Sequence, residues 1–497
     1  MLRRSLVLAI VIASIPARPA DAAPLAALPD TVRVNVAGLG IVSGQFGSTA
    51  SLTATAPDGR TVHSGGAPLV VRTNVYRLKD GLRMPDRRTP PADEEERQTR
   101  ATLLRQARIA ERSGGVAGAE RAIEIVPFEA AILSGADPIG EVAMHAAKPV
   151  LLRFSSRDGL VTFQGRPYRG TLELALDDEG DLIVVNTVRT LDYLASVVGA
   201  EIPVNWHPEA LAAQAIAART YLLTHLGRHK AYDLEGDVRD QAYHGLSSED
   251  RATVRAVERT AGVVATHRGA AIEALYSANA GGVTEDSENV FANALPYLRS
   301  VTSPWDREAE NSSWGRTSWS WTKEVTAPQL GQQLAQRGFD VGEPQRIELT
   351  QLAPSGRVLQ ARVTGSKATR DIGKDRSRYY FGLMSTLFTV ARTAGGEREV
   401  VTHLNSARIR ELETLGAKVV DIGYRVEWDA DHEIRTLRVS SYHFELPARF
   451  VFTGRGSGHG VGMSQWGMQG MAVAGKTYDE ILRHYYQGTA LTEVGGP

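Results

Sequence analysis

Five glycines stand at every second position near the C-terminus: Gly454, Gly456, Gly458, Gly460 and Gly462. Arg455, Ser457, His459 and Val461 separate them, and Met463-Ser464-Gln465-Trp466-Gly467 follows. Side chains alternate across a strand with a period of two. An extended run therefore predicts a bare glycine face, with Arg455, Ser457 and His459 projecting from the other. Glycine weakens a strand through entropy and lost packing. A run of this kind calls for close approach by something flat, either another segment of the chain or a ligand.

The 497 residues suffice for at least one large core and predict two or three domains. Lys and Arg (56) balance Asp and Glu (57) to a net charge of -1. No basic excess is present to bind phosphates, so nucleic acid is not an expected partner. The chain has no cysteine, which excludes disulfides, thiolate metal sites and a cysteine nucleophile. At the N-terminus, Arg3 and Arg4 precede an apolar run from Ser5 to Ile15, then Pro16, Pro19 and Ala20-Asp21-Ala22. That is the order of a secretory signal, and the run is too short to span a bilayer. Cleavage near Ala22 is expected. The mature protein is then exported, periplasmic or extracellular at the cell wall, with no stable membrane insertion.

From Asp30 to Ile202 the pattern is mostly strands: Thr31–Val36, Ser51–Ala56, Val150–Phe154, Gly170–Leu176 and Asp181–Val185, the last two joined by the Asp177–Gly180 turn. Asp93–Arg112 places acids before bases and predicts a solvated surface helix. Thr190 is positioned to N-cap a helix over Leu191–Ala200, which Pro203 stops. Pro208 opens a second helix with Leu211, Ala215, Ala218 and Leu222 along one stripe. Further strands are expected over Ala265–Ser277, Arg346–Leu352, Val358–Thr364, Arg398–Leu404, Val419–Trp428 and Arg435–Val451. Helices are expected over Pro328–Arg337 and Tyr478–Tyr486. Strands and helices are segregated, which predicts an α+β fold of mainly antiparallel or mixed sheets with a few packed helices.

Gly470-Met471-Ala472-Val473-Ala474-Gly475-Lys476-Thr477 matches the P-loop pattern letter for letter. A P-loop needs a strand before it and flexible backbone to cradle phosphate. Ser464–Gln469 is not strand-like, the inner four residues are apolar helix formers, and little chain follows. The match is read as coincidence. His225 and His229 lack the companions of a zinc site. Ser464 lacks the closing glycine of a nucleophile elbow. Two glutamates carry more promise. Glu209 lies in the first turn of a helix, where a negative charge is favoured. Glu201 follows Val197-Val198-Gly199-Ala200, whose apolar character disfavours its charge. An ordinary Glu is protonated only about once in 500 at pH 7, and raising its pKa by about two units costs roughly 2.7 kcal/mol. Glu201 is the candidate general acid.

Several segments then resemble one family. They are Tyr193–Pro203, Pro208–Ala215, Ala217–Tyr221, Tyr276–Glu285, Leu295–Val301, Gly382–Ser385, and the run from Gly458 through Tyr486. Together they resemble the sporulation stage II protein D / amidase enhancer LytB family over roughly Pro149 to Leu491. The resemblance implies residues 1–22 as signal, 23–148 as a β-rich region with a charged helical insertion, and 149–491 as the peptidoglycan-active domain. An extra β-rich insertion falls at about 391–445, and 492–497 form a tail. A catalytic groove is expected between sub-domains.

The resemblance further implies a lytic transglycosylase acting on glycan strands stripped of stem peptides. Its catalytic glutamate falls on Glu201, and its groove residues fall on Arg219, Tyr221, Ser277, His459 and Gln465. The substrate's own C6 hydroxyl replaces a second carboxylate, giving a 1,6-anhydro end. Where some members carry a Cys/His zinc-binding stretch, this chain reads Tyr232–Gln241, so no metal or other cofactor is carried over. The alternative within the same family is a non-catalytic wall-binding protein that stimulates a separate cell-wall amidase.

Overall fold

The computed structural model describes residues 25–38, 41, 43–66, 68–74, 129–134, 137–143, 151–157, 159–176, 182–229, 231–428 and 434–495. The expected signal segment, the 93–112 helix and the 177–180 turn lie outside them. The chain divides into two compact units, one of Ala26–Trp206, Ala218–Val264 and Glu493–Pro497, the other of Met1–Leu25, His207–Ala217 and Ala265–Thr492. Sheets and helices are segregated within them, and the α+β expectation holds.

The first unit carries two sheets. The seven-stranded one orders Leu234–Glu235, Thr31–Asn35, Leu182–Arg189, Thr171–Leu176, Leu152–Ser156, Leu52–Thr55 and Thr61–Gly65. All its pairings are antiparallel except Thr31–Asn35 with Leu234–Glu235. The six-stranded sheet is antiparallel throughout. Alternation sets the buried face: Val32 and Val34 are sealed, and so are Leu172 and Leu174. Phe46 of one sheet stacks on Phe154 of the other with ring centroids 3.9 Å apart, fixing the two sheets face to face.

Strand Leu182–Arg189 runs directly into helix Thr190–Glu201. Thr190 is not the cap expected of it. It is the first helical residue, and its hydroxyl donates to the Pro29 carbonyl. Helix Pro208–His225 follows, with every residue from Ala210 to Leu222 buried. The expected stripe is therefore a fully enclosed helix, and its alanines are what permit that enclosure.

In the second unit, three antiparallel strands, Ser320–Thr326, Arg449–Arg455 and Phe388–Thr393, pack onto a core that includes Leu330, Phe339, Val358, Phe381 and Phe450. Strand Arg449–Arg455 is the central one. The single strand expected over Arg435–Val451 is broken into Ile434–Glu445 and Arg449–Arg455, with Pro447 between them. Strands Arg398–Thr402, Lys418–Trp428 and Ile434–Glu445 build their own small sheet, closed by helix Ser406–Thr414 over Val401, Leu412 and Phe444.

The glycine run departs from the extended ribbon that its spacing predicts. Only Gly454 lies in a strand. Gly456, Gly458, Gly460 and Gly462 have φ of +82°, +101°, +76° and +75°, a region open to glycine and costly to other residues. The close approach is real, and it comes from the chain itself. A Cβ on Gly456 would lie 2.8 Å from Asn279 O, on Gly458 2.9 Å from Ser277 Cβ, and on Gly460 2.3 Å from the Arg357 guanidinium. On Gly462 it would lie 2.1 Å from Leu275 O. Gly462→Ala is expected to cost roughly 2–5 kcal/mol, combining left-handed strain with overpacking. Gly475→Ala also starts from positive φ, but with open space around it, and should cost only roughly 1–2 kcal/mol. Urea unfolding of the two variants checks the difference; equal losses would contradict it.

Candidate functional site

Glu201, Arg219 and Tyr221 fall in the first unit, Ser277, His459 and Gln465 in the second. Glu201 ends its helix, half-buried, and its Oε1 accepts the Ala242 N–H at 2.8 Å. The loop carrying Ala242 is fixed on three sides. Tyr193 Oη donates to Gln241 Oε1 at 3.0 Å, Tyr221 Oη to Asp240 Oδ1 at 2.9 Å, and Tyr243 Oη to Asn186 Oδ1 at 2.6 Å. Burial holds the Tyr193 phenol well above its usual range, reinforced by the nearby negative charges of Asp240 and Glu201, so it stays protonated and donates. Small residues in the helix let the following turn dock: Ser196 Oγ meets Ser248 Oγ at 2.9 Å, and a Cβ on Gly199 would strike Ser248 O at 1.9 Å. Gly199 is thus required two residues before Glu201, despite costing about 1 kcal/mol of helix propensity.

Arg219 does something other than line a groove. It is fully buried, and its guanidinium donates to Val257 O at 3.0 Å, Val263 O at 3.1 Å and Thr260 Oγ1. Those groups close the C-terminal end of helix Arg251–Arg259, where a cation is favoured. Burial lowers its pKa to about 10, which leaves it charged at neutral pH. Tyr221, also buried, stacks on His225 at 3.7 Å. Burial pushes His225 down to about 3.

The stretch Tyr232–Gln241 is a strut of charges. Glu235 accepts from Asn35 Nδ2 (2.9 Å), Tyr232 Oη (2.6 Å) and Arg239 Nη1 (2.9 Å), while Arg239 pairs with Asp237 at 2.8 Å. The carboxylates neutralise the arginine rather than converge on an open point. They do not fit a metal. Among the described residues no three His, Cys, Asp or Glu side chains are grouped to hold one.

In the second unit the quoted motifs converge on the glycine run. Tyr276–Ser277 pairs in parallel with Met463–Ser464. Asn279 and Ser457 exchange both backbone hydrogen bonds, at 3.0 and 2.8 Å, and Trp466 N donates to Ala278 O at 3.0 Å. Gly458 N donates to Met384 O, and Tyr486 Oη to Leu275 O. Ser277, His459 and Gln465 are therefore held around one backbone junction. The junction turns their side chains to different tasks. His459 is half-buried, with Nε2 donating to Tyr276 O at 3.0 Å and Nδ1 accepting from Val461 N at 3.0 Å. The carbonyl only accepts and the amide only donates, so the Nε2–H tautomer follows. Burial lowers its pKa to about 4, aided by Arg378. Ser277 is buried, and its hydroxyl has no partner. Gln465 is the buried first residue of helix Gln465–Val473, capped by Ser464.

Ser464 is occupied in that cap. Its Oγ also donates to Asp306 Oδ1 and accepts from Ala280 N at 3.1 Å. The P-loop look-alike is the end of this helix, a turn at Gly475, and Thr477 capping helix Tyr478–Tyr485. Glu209 accepts from Tyr478 N at 2.8 Å, so its carboxylate also serves the start of that last helix. Two features escaped the sequence reading. Asp306 is wholly buried, accepts from Gly282 N at 2.9 Å, and has its pKa raised by burial against the hydrogen bonds it receives. Gln214 is wholly buried on the enclosed helix with neither amide atom partnered. Its only sequence signal was a polar residue inside an alanine-rich helix. Such orphaned groups are rare and call for a ligand or ordered water.

Residues 178–267 match the family model described as Stage II sporulation protein. Over that segment the chain is similar to the stage II sporulation protein family. Glu201, Arg219, Tyr221 and the 232–241 strut all fall inside that match, whereas residues 293–410 match a domain of unknown function, DUF8618. The chain is 28% identical over 343 residues to an uncharacterized protein of Brachyspira hyodysenteriae, covering 68% of this chain and 76% of that one. It is 28% identical over 327 residues to the stage II sporulation protein D of Bacillus subtilis, covering 62% and 76%. Against the amidase enhancer of the same organism it is 29% identical over 311 residues, covering 60% of this chain and 40% of that one.

His459 gives the second unit a pH signature. Its folded pKa of about 4 lies below the unfolded value of about 6.5, so the unfolded chain takes the proton first as pH falls. Its contribution to stability is full above about pH 6.5 and is lost on the way down to about 4. His459→Gln should flatten the unfolding free energy across that window by up to about 1.4 kcal/mol per pH unit. An unchanged slope in urea titrations between pH 7.5 and 4.5 would count against a neutral His459.

Proposed function

We propose that this protein is exported and acts on peptidoglycan as a lytic transglycosylase with Glu201 as its one catalytic carboxyl. The observation that carries the reading is the setting of Glu201. It is half-buried at the negative end of its helix, and one oxygen is fixed by the Ala242 amide. A glycosidase of the ordinary kind needs a second carboxylate as nucleophile or base. Asp240, two residues from the Ala242 contact, is engaged: Oδ1 takes Tyr221 and Arg228, and Oδ2 takes the Glu235 amide at 2.8 Å. One acid is what the transglycosylase route requires. Glu201 gives its proton to the glycosidic oxygen as the bond to C1 of N-acetylmuramic acid breaks. The same carboxylate then takes the proton of that sugar's C6 hydroxyl as O6 closes onto C1. No water is consumed, and the carboxyl ends protonated as it began.

In this reading Ser277, whose buried hydroxyl has no partner, and Gln465 hold the sugar. His459 acts by fixing the Tyr276 carbonyl, and Arg219 and Tyr221 position rather than touch the sugar. Among the described residues no helix is long and apolar enough to cross a membrane. The similarity to an amidase enhancer supports a second reading, in which the wall is bound but not cut and a separate N-acetylmuramoyl-L-alanine amidase is stimulated. Purified protein alone, incubated with peptide-free glycan strands, separates the two. Wild type should release 1,6-anhydro products by mass spectrometry, and Glu201→Gln should release at least about 100-fold less, the share of a general acid. Equal product from both proteins would sink the assignment of Glu201. No product from either would favour the enhancer.

A further inference from the structure

Helix Gln465–Val473 presents glycines toward the segment before it in space. A Cβ on Gly467 would lie 2.5 Å from Ser303 Oγ and 2.7 Å from Asp306 Oδ1, and one on Gly470 2.4 Å from Trp305 O. Residues 303–315 therefore lie directly on the helix. Gly315 passes so near the Trp466 ring that a Cβ there would be 2.3 Å from it. The consequence is an indole left at the surface. Trp314 is 58% exposed, and its ring rests on the buried Trp466 at 4.9 Å and 44°. Its backbone is braced: Gly315 N donates to Ser312 Oγ, Thr317 Oγ1 to Trp314 O, and Ser318 Oγ to Gly315 O.

Five residues on, at the end of the short helix Arg316–Trp319, the Trp319 ring has two guanidinium groups at 5.6 Å, Arg307 and Arg455. Arg455 is exposed and stands between the first two glycines of the run. Arg307 is shared with Glu310 at 3.3 Å, so Arg455 is the principal cation. The Trp319 carbonyl accepts from Gly456 N at 3.0 Å, and the Trp321 indole donates to the Gly456 carbonyl at 2.9 Å. This aromatic and cationic surface is built onto the same junction that holds Ser277 and Gln465. Arg307, Trp314 and Trp319 fall within residues 293–410, and Arg455 lies beyond both matched segments.

We propose that Trp314 and Arg455, with Arg307 beside them, form an outer subsite for an anionic saccharide. A pyranose ring lies on the exposed indole, and a sugar carboxylate meets the guanidinium. A rigid aromatic face loses little conformational entropy on binding, and arginine pairs with carboxylates through charge-assisted hydrogen bonds. In a peptide-free glycan strand the lactyl group of each N-acetylmuramic acid carries such a carboxylate. The subsite rests on the peptidoglycan reading and adds to it a preference for anionic over neutral glycan.

The test is calorimetric binding to the full chain carrying Glu201→Gln, so that strands are not consumed. Two probes are compared: peptide-free glycan strands and neutral chito-oligosaccharides of similar length. The anionic strands should bind more tightly, with an advantage that shrinks as salt rises. Trp314→Ala should weaken both about tenfold while thermal unfolding stays unchanged, and Trp314→Tyr should recover part of the loss. Arg455→Gln should remove most of the difference between the probes. Wild-type affinity in Trp314→Ala, or equal affinity for both probes, would overturn the subsite. Glu201-dependent product release alongside either of those results leaves the catalytic reading standing and this inference alone fallen. Failure of the unsubstituted surface to bind any glycan would overturn both.

Discussion

The second unit is organised by backbone lying on backbone where the left-handed glycines of residues 456–462 meet residues 275–285. Each missing Cβ admits a carbonyl, a guanidinium or a side-chain Cβ at a distance no other residue tolerates. Glycine carries an entropic cost of roughly 0.5–1 kcal/mol per position. Hydrogen bonds across the junction, each worth about 1 kcal/mol, offset it: Asn279 with Ser457 in both directions, Glu285 N to Gly460 O, Met463 N to Leu275 O. Buried polar groups then lock the junction from behind. Arg357, fully enclosed, donates to Ala280 O at 2.6 Å, and Asp306 binds both Gly282 and Ser464. Removing one partner would leave a buried charge uncompensated.

The Glu201 environment follows the same economy of small residues. Ser196 and Gly199 admit the Ser248 turn to the helix surface, and the tyrosines 193, 221 and 243 anchor the loop that reaches the carboxyl. The proposed role of Glu201 as general acid needs a fixed oxygen and surroundings that do not supply a competing carboxylate. Ala242 supplies the first, and the occupied state of Asp240 the second.

Much of this was legible in the chain. Period-two alternation located the strands around Val32, Leu172 and Val358, and Pro203 and Pro208 bracketed the helix break after Glu201. The glycine spacing announced a close approach but was misread as an extended ribbon. Periodicity reports which residues are alike, whereas the sign of φ depends on what packs beneath them. His459 and Arg219 were legible as residues of consequence, yet their tasks were not: both donate to backbone carbonyls supplied from far along the chain. Asp306 and Arg357 carried no local signal at all, because their partners lie 24 to 158 residues away.

The central claim is that one carboxyl cleaves a glycan without consuming water. Cleavage of peptide-free strands by the purified protein alone, carried out in heavy-oxygen water, tests it most directly by mass spectrometry of the new ends. The account predicts 1,6-anhydro ends, each lighter than a hydrolysed end by one water and free of label. Reducing ends carrying the heavy oxygen, or intact strands, would contradict it.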